Sequence, residues 1–301
     1  MTPISAGSPA IVGFVPTPFG HDDEVDATRL VSLAARLSRF GIRPAVLGGM
    51  GEFYALSRRE SRICMEAAVE GSDGREPTVA GIGFATREAV HLAEDARAAG
   101  VQTIVINPPH HAAPSPAAYA EHVRRITESS GLPAVLYSSA KYPLTDRHLD
   151  ALTDVPGFLG VKEEYYDVAA AAKRIAATGD RVQWWGVGEE NGVRYAAVGA
   201  TAVTTSLANF SPGLARDYIT QALAGTLDPR VEAATRAWTD GLGRDEQGAA
   251  SFLKEVMRQT AGWNPAVRLP LLASGADISG FVADFVERFD SDRIGSEGAY
   301  P

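Results

Sequence analysis

Lysine is scarce in this chain, and one of its lysines stands where an amine could do chemistry. Lys141, Lys162, Lys173 and Lys254 are the full set. Lys173 and Lys254 fall in helical stretches and are expected to be solvated. Lys162 ends the apolar run FLGVK, which predicts a side chain at or inside the mouth of a sheet-built pocket. A buried ammonium is costly unless it is paired or neutralised. A desolvated amine gives up its proton and becomes a nucleophile for a carbonyl carbon. The structural alternative is an ion pair with Glu163 or Glu164. Tyr137 closes a second apolar run, AVLY. A phenol beside an amine can relay protons between substrate and nitrogen; otherwise Tyr137 is a packed ring with a satisfied hydroxyl.

Two further stretches carry unusual chemistry. Gly48 to Leu56 reads GGMGEFYAL. Glycines let backbone approach a ligand closely, and successive N–H groups at Gly49, Met50 and Gly51 can form a nest for a carboxylate. The same glycines could serve tight geometry alone. Glu52 could cap neighbouring backbone or meet another subunit. The stretch NPPHH ends in His110 and His111. These are expected to line a pocket, with acid–base work or contact with an anion as the other use. They are not an obvious metal site, since no third ligand is visible beside them.

Residues of this kind need a scaffold, and the chain alternates two textures that supply one. Short runs rich in Val and Ile predict strands at 11–15, 45–47, 78–80, 103–106, 134–137, 158–161, 182–185 and 202–205. Each is nearly continuous in apolar character, as expected when both faces of a strand are covered. Helical periodicity fills the gaps at 26–40, 57–70, 86–99, 116–129, 145–153, 168–178, 191–198 and 212–224. Asp26 reads as an N-cap, and Ser57 with Glu60 as a capping box. Thr86 reads as the cap of the third helix, with Gly100 just past its end. Eight consecutive βα units predict a closed (β/α)₈ TIM barrel over residues 1–225. An open doubly wound sheet would carry a Gly-rich phosphate loop after its first strand, and VPTPFG is not one. Past residue 226 only helices are expected, at 228–242, 249–260 and 281–289. These form a C-terminal helical extension over 226–301, packed on the barrel as part of one structural unit.

Composition narrows the partners. The 301 residues carry a formal net charge of -9 and are 45% hydrophobic. An acidic surface repels phosphate backbones and anionic lipid, so nucleic acid and membrane are poor partners. Cys64 is the single cysteine, which excludes an intrachain disulfide; it is expected to be a packed core thiol. The N-terminal stretch lacks a basic region followed by an apolar one, and no apolar run is long enough to span a bilayer. A cytoplasmic protein is expected.

Taken together, these pieces resemble the dihydrodipicolinate synthase and N-acetylneuraminate lyase superfamily of class I Schiff-base lyases. The resemblance runs from Pro16 to about Pro270. It is carried by VPTPF, GGMGEFYALS, VAGIGFATREAVHLAEDARAAGV, VLY, LGVKEE, GATAVTTSLANFSP and VRLPLL in that order. It implies that Lys162 is the Schiff-base lysine and Tyr137 the proton shuttle. It implies that Gly49, Met50 and Gly51 receive the carboxylate of a 2-oxo acid; Thr204, His110 and His111 are further expected to contact substrate. It further implies that no metal or organic cofactor takes part and that the assembly is a homotetramer. The Gly-Gly-x-Gly-Glu-Phe turn and SLANF are most similar to 5-dehydro-4-deoxyglucarate dehydratases, which implies dehydration with decarboxylation of a sugar-derived oxo diacid.

The departures are specific. Met50 stands where synthases place a hydroxyl, and Ser138 follows Tyr137 where Asn is frequent. Tyr142 stands where many synthases have an arginine, beside Lys141. His110-His111 replaces a tyrosine pair, which removes the synthase proton relay, so dihydrodipicolinate synthesis is not expected; either histidine could supply the missing transfer. Three readings stay open beside the dehydratase. One is a pyruvate-dependent aldolase of the same superfamily. Another is a non-catalytic barrel that binds a 2-oxo acid. The last is a metal-assisted hydrolase built on His110, His111, Glu189 and Glu190.

Overall fold

The computed structural model describes residues 8–109, 112–164, 167–243, 247–275 and 277–289, with side chains described as far as residue 285. Eight parallel strands close on themselves in chain order. They are β1 (Ala10–Phe14), β2 (Ile42–Val46), β3 (Val79–Ile82), β4 (Thr103–Ile106), β5 (Ala134–Ser139), β6 (Phe158–Glu164), β7 (Gln183–Val187) and β8 (Ala202–Thr205). The barrel closes where β1 pairs β8, with Ala10 opposite Ala202 and Gly13 opposite Thr205.

One helix follows each strand: α1 (Ala27–Arg39), α2 (Arg58–Ser72), α3 (Thr86–Ala99), α4 (Pro116–Ser130), α5 (Asp146–Leu152), α6 (Val168–Thr178), α7 (Glu189–Ala197) and α8 (Pro212–Ala224). Their starts are chemically marked. Asp26 accepts from the Arg29 N–H, and Ser57 and Glu60 form the reciprocal capping box. Thr86 does not cap α3. The N-cap is Ala85, without a side-chain bond, and α3 closes on left-handed Gly100. The Thr86 hydroxyl instead meets His122 Nδ1 at 2.9 Å.

Strand alternation sorts the core in two. Val12, Phe14, Ala45, Val79, Val105, Val135, Trp185 and Ala202 fill the barrel interior. A much larger shell between strands and helices holds Leu30, Leu33, Leu37, Ile104, Leu136 and Val161. Cys64 is buried there as a free thiol, and burial pushes it up to about 12.

The chain then adds α9 (Pro229–Leu242), α10 (Ala249–Ala261) and α11 (Ser279–Phe289). Trp238 of α9 stacks on Phe210 with ring centroids 5.8 Å apart and donates its indole N–H to Ser206 Oγ at 3.0 Å. Lys254 of α10 is wholly buried, not solvated, and pairs with Glu52. A helical position and a charged side chain suggested exposure. The partner lies 202 residues away along the chain and leaves no local signal. No helix among the described residues is long and apolar enough to cross a membrane.

Candidate active site

The C-terminal strand ends surround a cavity of about 600 Å³, within the usual range for a small-molecule site. Its floor is the top of the barrel interior. Three strands meet there in register: Tyr137 of β5 sits opposite Lys162 of β6, and Lys162 sits opposite Trp185 of β7.

Lys162 points inward because its neighbours alternate. Val161 packs in the outer shell. Glu163 also faces the helices, where Arg174 Nη1 of α6 lies 3.6 Å from its Oε2 and Ser138 Oγ donates to its Oε1 at 3.3 Å. The Lys162 ammonium therefore cannot pair with Glu163. Its Nζ lies 4.0 Å from the Tyr137 ring centroid and 4.9 Å from that of Phe14. Ring faces favour a cation by about 0.5–2 kcal/mol. Desolvation opposes this and wins, bringing Lys162 down from 10.5 to about 7. The site thus holds an amine that is substantially neutral near neutral pH, with a phenol alongside.

The turn after β2 supplies the other half. Gly49 and Met50 line the cavity, whereas Gly51 lies behind it. Within the turn, Gly51 N–H donates to Gly48 O and Glu52 N–H to Gly49 O, both at 3.1 Å. Gly51 O accepts from Thr17 Oγ1 at 2.7 Å. The Gly51 amide is therefore already used. Among the described residues, the amides of Gly49 and Met50 have no backbone acceptor. Two turn amides, not three, are therefore left facing the cavity without a backbone acceptor.

Thr204, on β8, is buried and lines the cavity opposite Val187 of β7. Glu189 is buried, and its Oε1 accepts from Thr205 Oγ1 and Leu207 N–H at 2.8 Å and from Ser206 N–H at 2.9 Å. It fixes the β8 exit. The sequence offered Glu189 only as a metal ligand, and four donors on one oxygen, Ser206 Oγ at 3.4 Å being the fourth, are better suited to a structural anchor. Among the described residues no three His, Cys, Asp or Glu side chains gather as a metal site. Gly188, at φ 79°, makes the turn that starts α7 two residues earlier than the periodicity suggested. His110 and His111 lie outside the described residues.

Ser138, on the outer face of β5, accepts from Leu144 N–H at 3.1 Å. It holds the loop that brings Lys141 and Tyr142 to the cavity rim. Tyr142 and Ser139 exchange backbone bonds at 3.0 and 3.3 Å, so the loop is tied at both ends.

An eight-stranded barrel with an amine on the floor of its C-terminal cavity is the arrangement of a class I lyase. Comparison with known proteins gives the family: the chain belongs to the dihydrodipicolinate synthetase family, matched over residues 8–286, and is a Schiff-base lyase. It is 30% identical over 213 residues to a Methylobacterium radiotolerans protein named "Probable 5-dehydro-4-deoxyglucarate dehydratase", covering 69% of this chain and 70% of that one. The dihydrodipicolinate synthase of Bacillus clausii superposes with TM-score 0.83 at 26% identity, covering 92% of this chain and 96% of that one. The sialic acid aldolase of Ruminococcus gnavus shares the fold, with TM-score 0.85 at 18% identity over 93% and 96% of the two chains.

Proposed function

We propose that Lys162 forms a Schiff base with a 2-oxo acid and that the reaction is a dehydration, coupled to decarboxylation of a sugar-derived oxo diacid. The observation that supports this most directly is the Lys162 amine. It sits inside the barrel without an ion pair among the described residues, and desolvation has brought it to about 7. A 2-oxo acid carboxylate docks on the Gly49 and Met50 amides. Neutral Lys162 Nζ attacks the adjacent carbonyl carbon, Tyr137 carries protons to the departing oxygen, and water leaves. The resulting iminium is an electron sink. Loss of a proton from the neighbouring carbon gives an enamine, which expels the hydroxyl of the next carbon as water; the conjugated iminium that results accepts the electron pair released when the distal carboxylate leaves as CO₂. Protonation of the enamine and hydrolysis free Lys162.

The preference for dehydration over aldol cleavage rests on the Gly-Gly-Met-Gly-Glu-Phe turn, on SLANF, and on the similarity to the Methylobacterium protein. Thr204 and the rim side chains Lys141 and Tyr142 face the remainder of the substrate. A cytoplasmic location and a homotetramer belong to the same proposal and rest on sequence and family resemblance.

The test is turnover with sugar-derived oxo diacids, read as CO₂ release, beside pyruvate-plus-aldehyde condensation. Lys162→Ala should abolish whichever activity is found. Wild-type CO₂ release without condensation supports the dehydratase. Condensation alone makes the protein an aldolase. Near wild-type rates in Lys162→Ala would end the Schiff-base reading.

A further inference from the structure

Three of the stretches that carry the family resemblance meet behind the cavity wall. From VPTPF comes Thr17, whose hydroxyl holds Gly51 O. From the glycine turn comes Glu52. From VRLPLL comes Arg268, whose backbone N–H donates to Glu52 Oε2 at 2.7 Å. Lys254 of α10 completes the cluster, donating to Glu52 Oε1 at 2.5 Å and to Ala266 O at 2.7 Å. Both side chains of this ion pair are fully buried.

Stability alone is a weak reason to keep such a pair. Desolvating two charges offsets most of their attraction, and apolar packing can do as well. What an ion pair with further hydrogen bonds adds is direction. Glu52 needs direction, because its backbone is left-handed at φ 53°, ψ 34°, a region that costs a side-chain-bearing residue about 1 kcal/mol or more. Glu52 N–H is bonded to Gly49 O. The orientation of Glu52 is thereby passed directly to the peptide whose neighbouring amides, those of Gly49 and Met50, are left without backbone acceptors.

We propose that Glu52 is a positioning residue: held by Lys254 and the Arg268 N–H, it aims the Gly49 and Met50 amides, so that helix α10 sets the affinity of the cavity for a substrate carboxylate. This rests on the reading that those amides receive the carboxylate, and it adds the C-terminal helices to the binding machinery.

The experiment is borohydride trapping of Lys162 as a function of pyruvate concentration. Glu52→Gln and Lys254→Met should each raise the half-saturating pyruvate concentration at least tenfold, about 1.4 kcal/mol of binding. The maximal trapping rate should stay within threefold of wild type. Glu255→Gln is the control. It removes a buried carboxylate from the same helix, one bonded to Arg258 and Gln259 among the described residues, and should leave half-saturation unchanged. Glu52→Asp is the softer variant: it keeps the charge and shortens the reach, and it too should weaken pyruvate. Lys254→Arg should retain most of the affinity. Unchanged half-saturation in the Glu52 and Lys254 variants, with or without a lower melting temperature, overturns the proposal. If wild type is not trapped at all, the Schiff-base reading fails separately. Pyruvate affinity is then read by ligand-observed NMR in the Lys162→Ala background. A tenfold loss on adding Glu52→Gln keeps the positioning role; no loss, or no binding, removes it.

Discussion

Replacing Lys162 by Met should kill the enzyme and stabilise the fold. Methionine fills a similar volume between Tyr137 and Phe14 and carries no charge to desolvate. The lysine is held near 7, against 10.5 in an unfolded chain. Between those values the unfolded chain binds one more proton than the folded one, so native stability rises with pH. Below about 7 the cost is complete, and it fades as pH approaches 10.5. At about 1.36 kcal/mol per pH unit, the site costs the fold about 5 kcal/mol at pH 6 and about 2 kcal/mol at pH 9. Solvent reaching the amine through the open cavity screens part of this, so a measured gain of about 2–4 kcal/mol at pH 6 is expected. Urea denaturation at pH 6, 7.5 and 9, followed by tryptophan fluorescence, reads it directly. Lys162→Met should unfold at higher urea than wild type, and the gap should shrink by about 1–2 kcal/mol between pH 6 and 9. A gap independent of pH, or a variant less stable than wild type at pH 6, would refute the claim that Lys162 is held neutral by desolvation.

Other perturbations have equally definite outcomes. The rate of imine trapping should rise through a single ionisation near pH 7, where Lys162 loses its proton; a midpoint above 9 would contradict the site. Tyr137→Phe should lower turnover by about 10²–10⁴-fold, the usual worth of a positioned acid–base group, while mass spectrometry still detects trapped imine. Glu189→Ala leaves the Ser206 and Leu207 amides buried without their acceptor and should cost about 2–4 kcal/mol in denaturation, with substrate affinity falling as the β8 exit loosens. Glu60 is held at about 2 by Arg268. Its stabilisation is complete above its ordinary value of 4.5 and disappears as pH falls through 2. Glu60→Gln should therefore be less stable than wild type at pH 7, with the difference closing between pH 4.5 and 2 in acid denaturation.

Much of this molecule was legible because barrel strands are covered on both faces and announce themselves as apolar runs between capped helices. The strand β2 shows where that signal weakens. It begins at Ile42, three residues before the apolar run, because Arg43 and Pro44 interrupt the pattern while still pairing with Val12 and Gly13 of β1. Lys162 and Tyr137 were found by their places at strand ends, and strand pairing then put them opposite each other. The sequence could not say which turn amides were free. Gly49, Met50 and Gly51 look alike as a nest until the bond from Gly51 N–H to Gly48 O removes one of them. Nor could it reveal Lys254. A lysine in an amphipathic helix reads as solvated, and only the closed fold brings α10 against Glu52.

The central question is which atom of the protein meets the substrate. Intact-protein mass spectrometry after incubation with pyruvate, 2-oxoglutarate and sugar-derived oxo acids plus borohydride tests this, followed by peptide mapping. The prediction is one reduced adduct per chain, located on Lys162 and absent from Lys162→Ala, whose mass identifies the oxo acid accepted. An adduct on Lys141, Lys173 or Lys254 in place of Lys162, or no adduct with any of these acids, would contradict it.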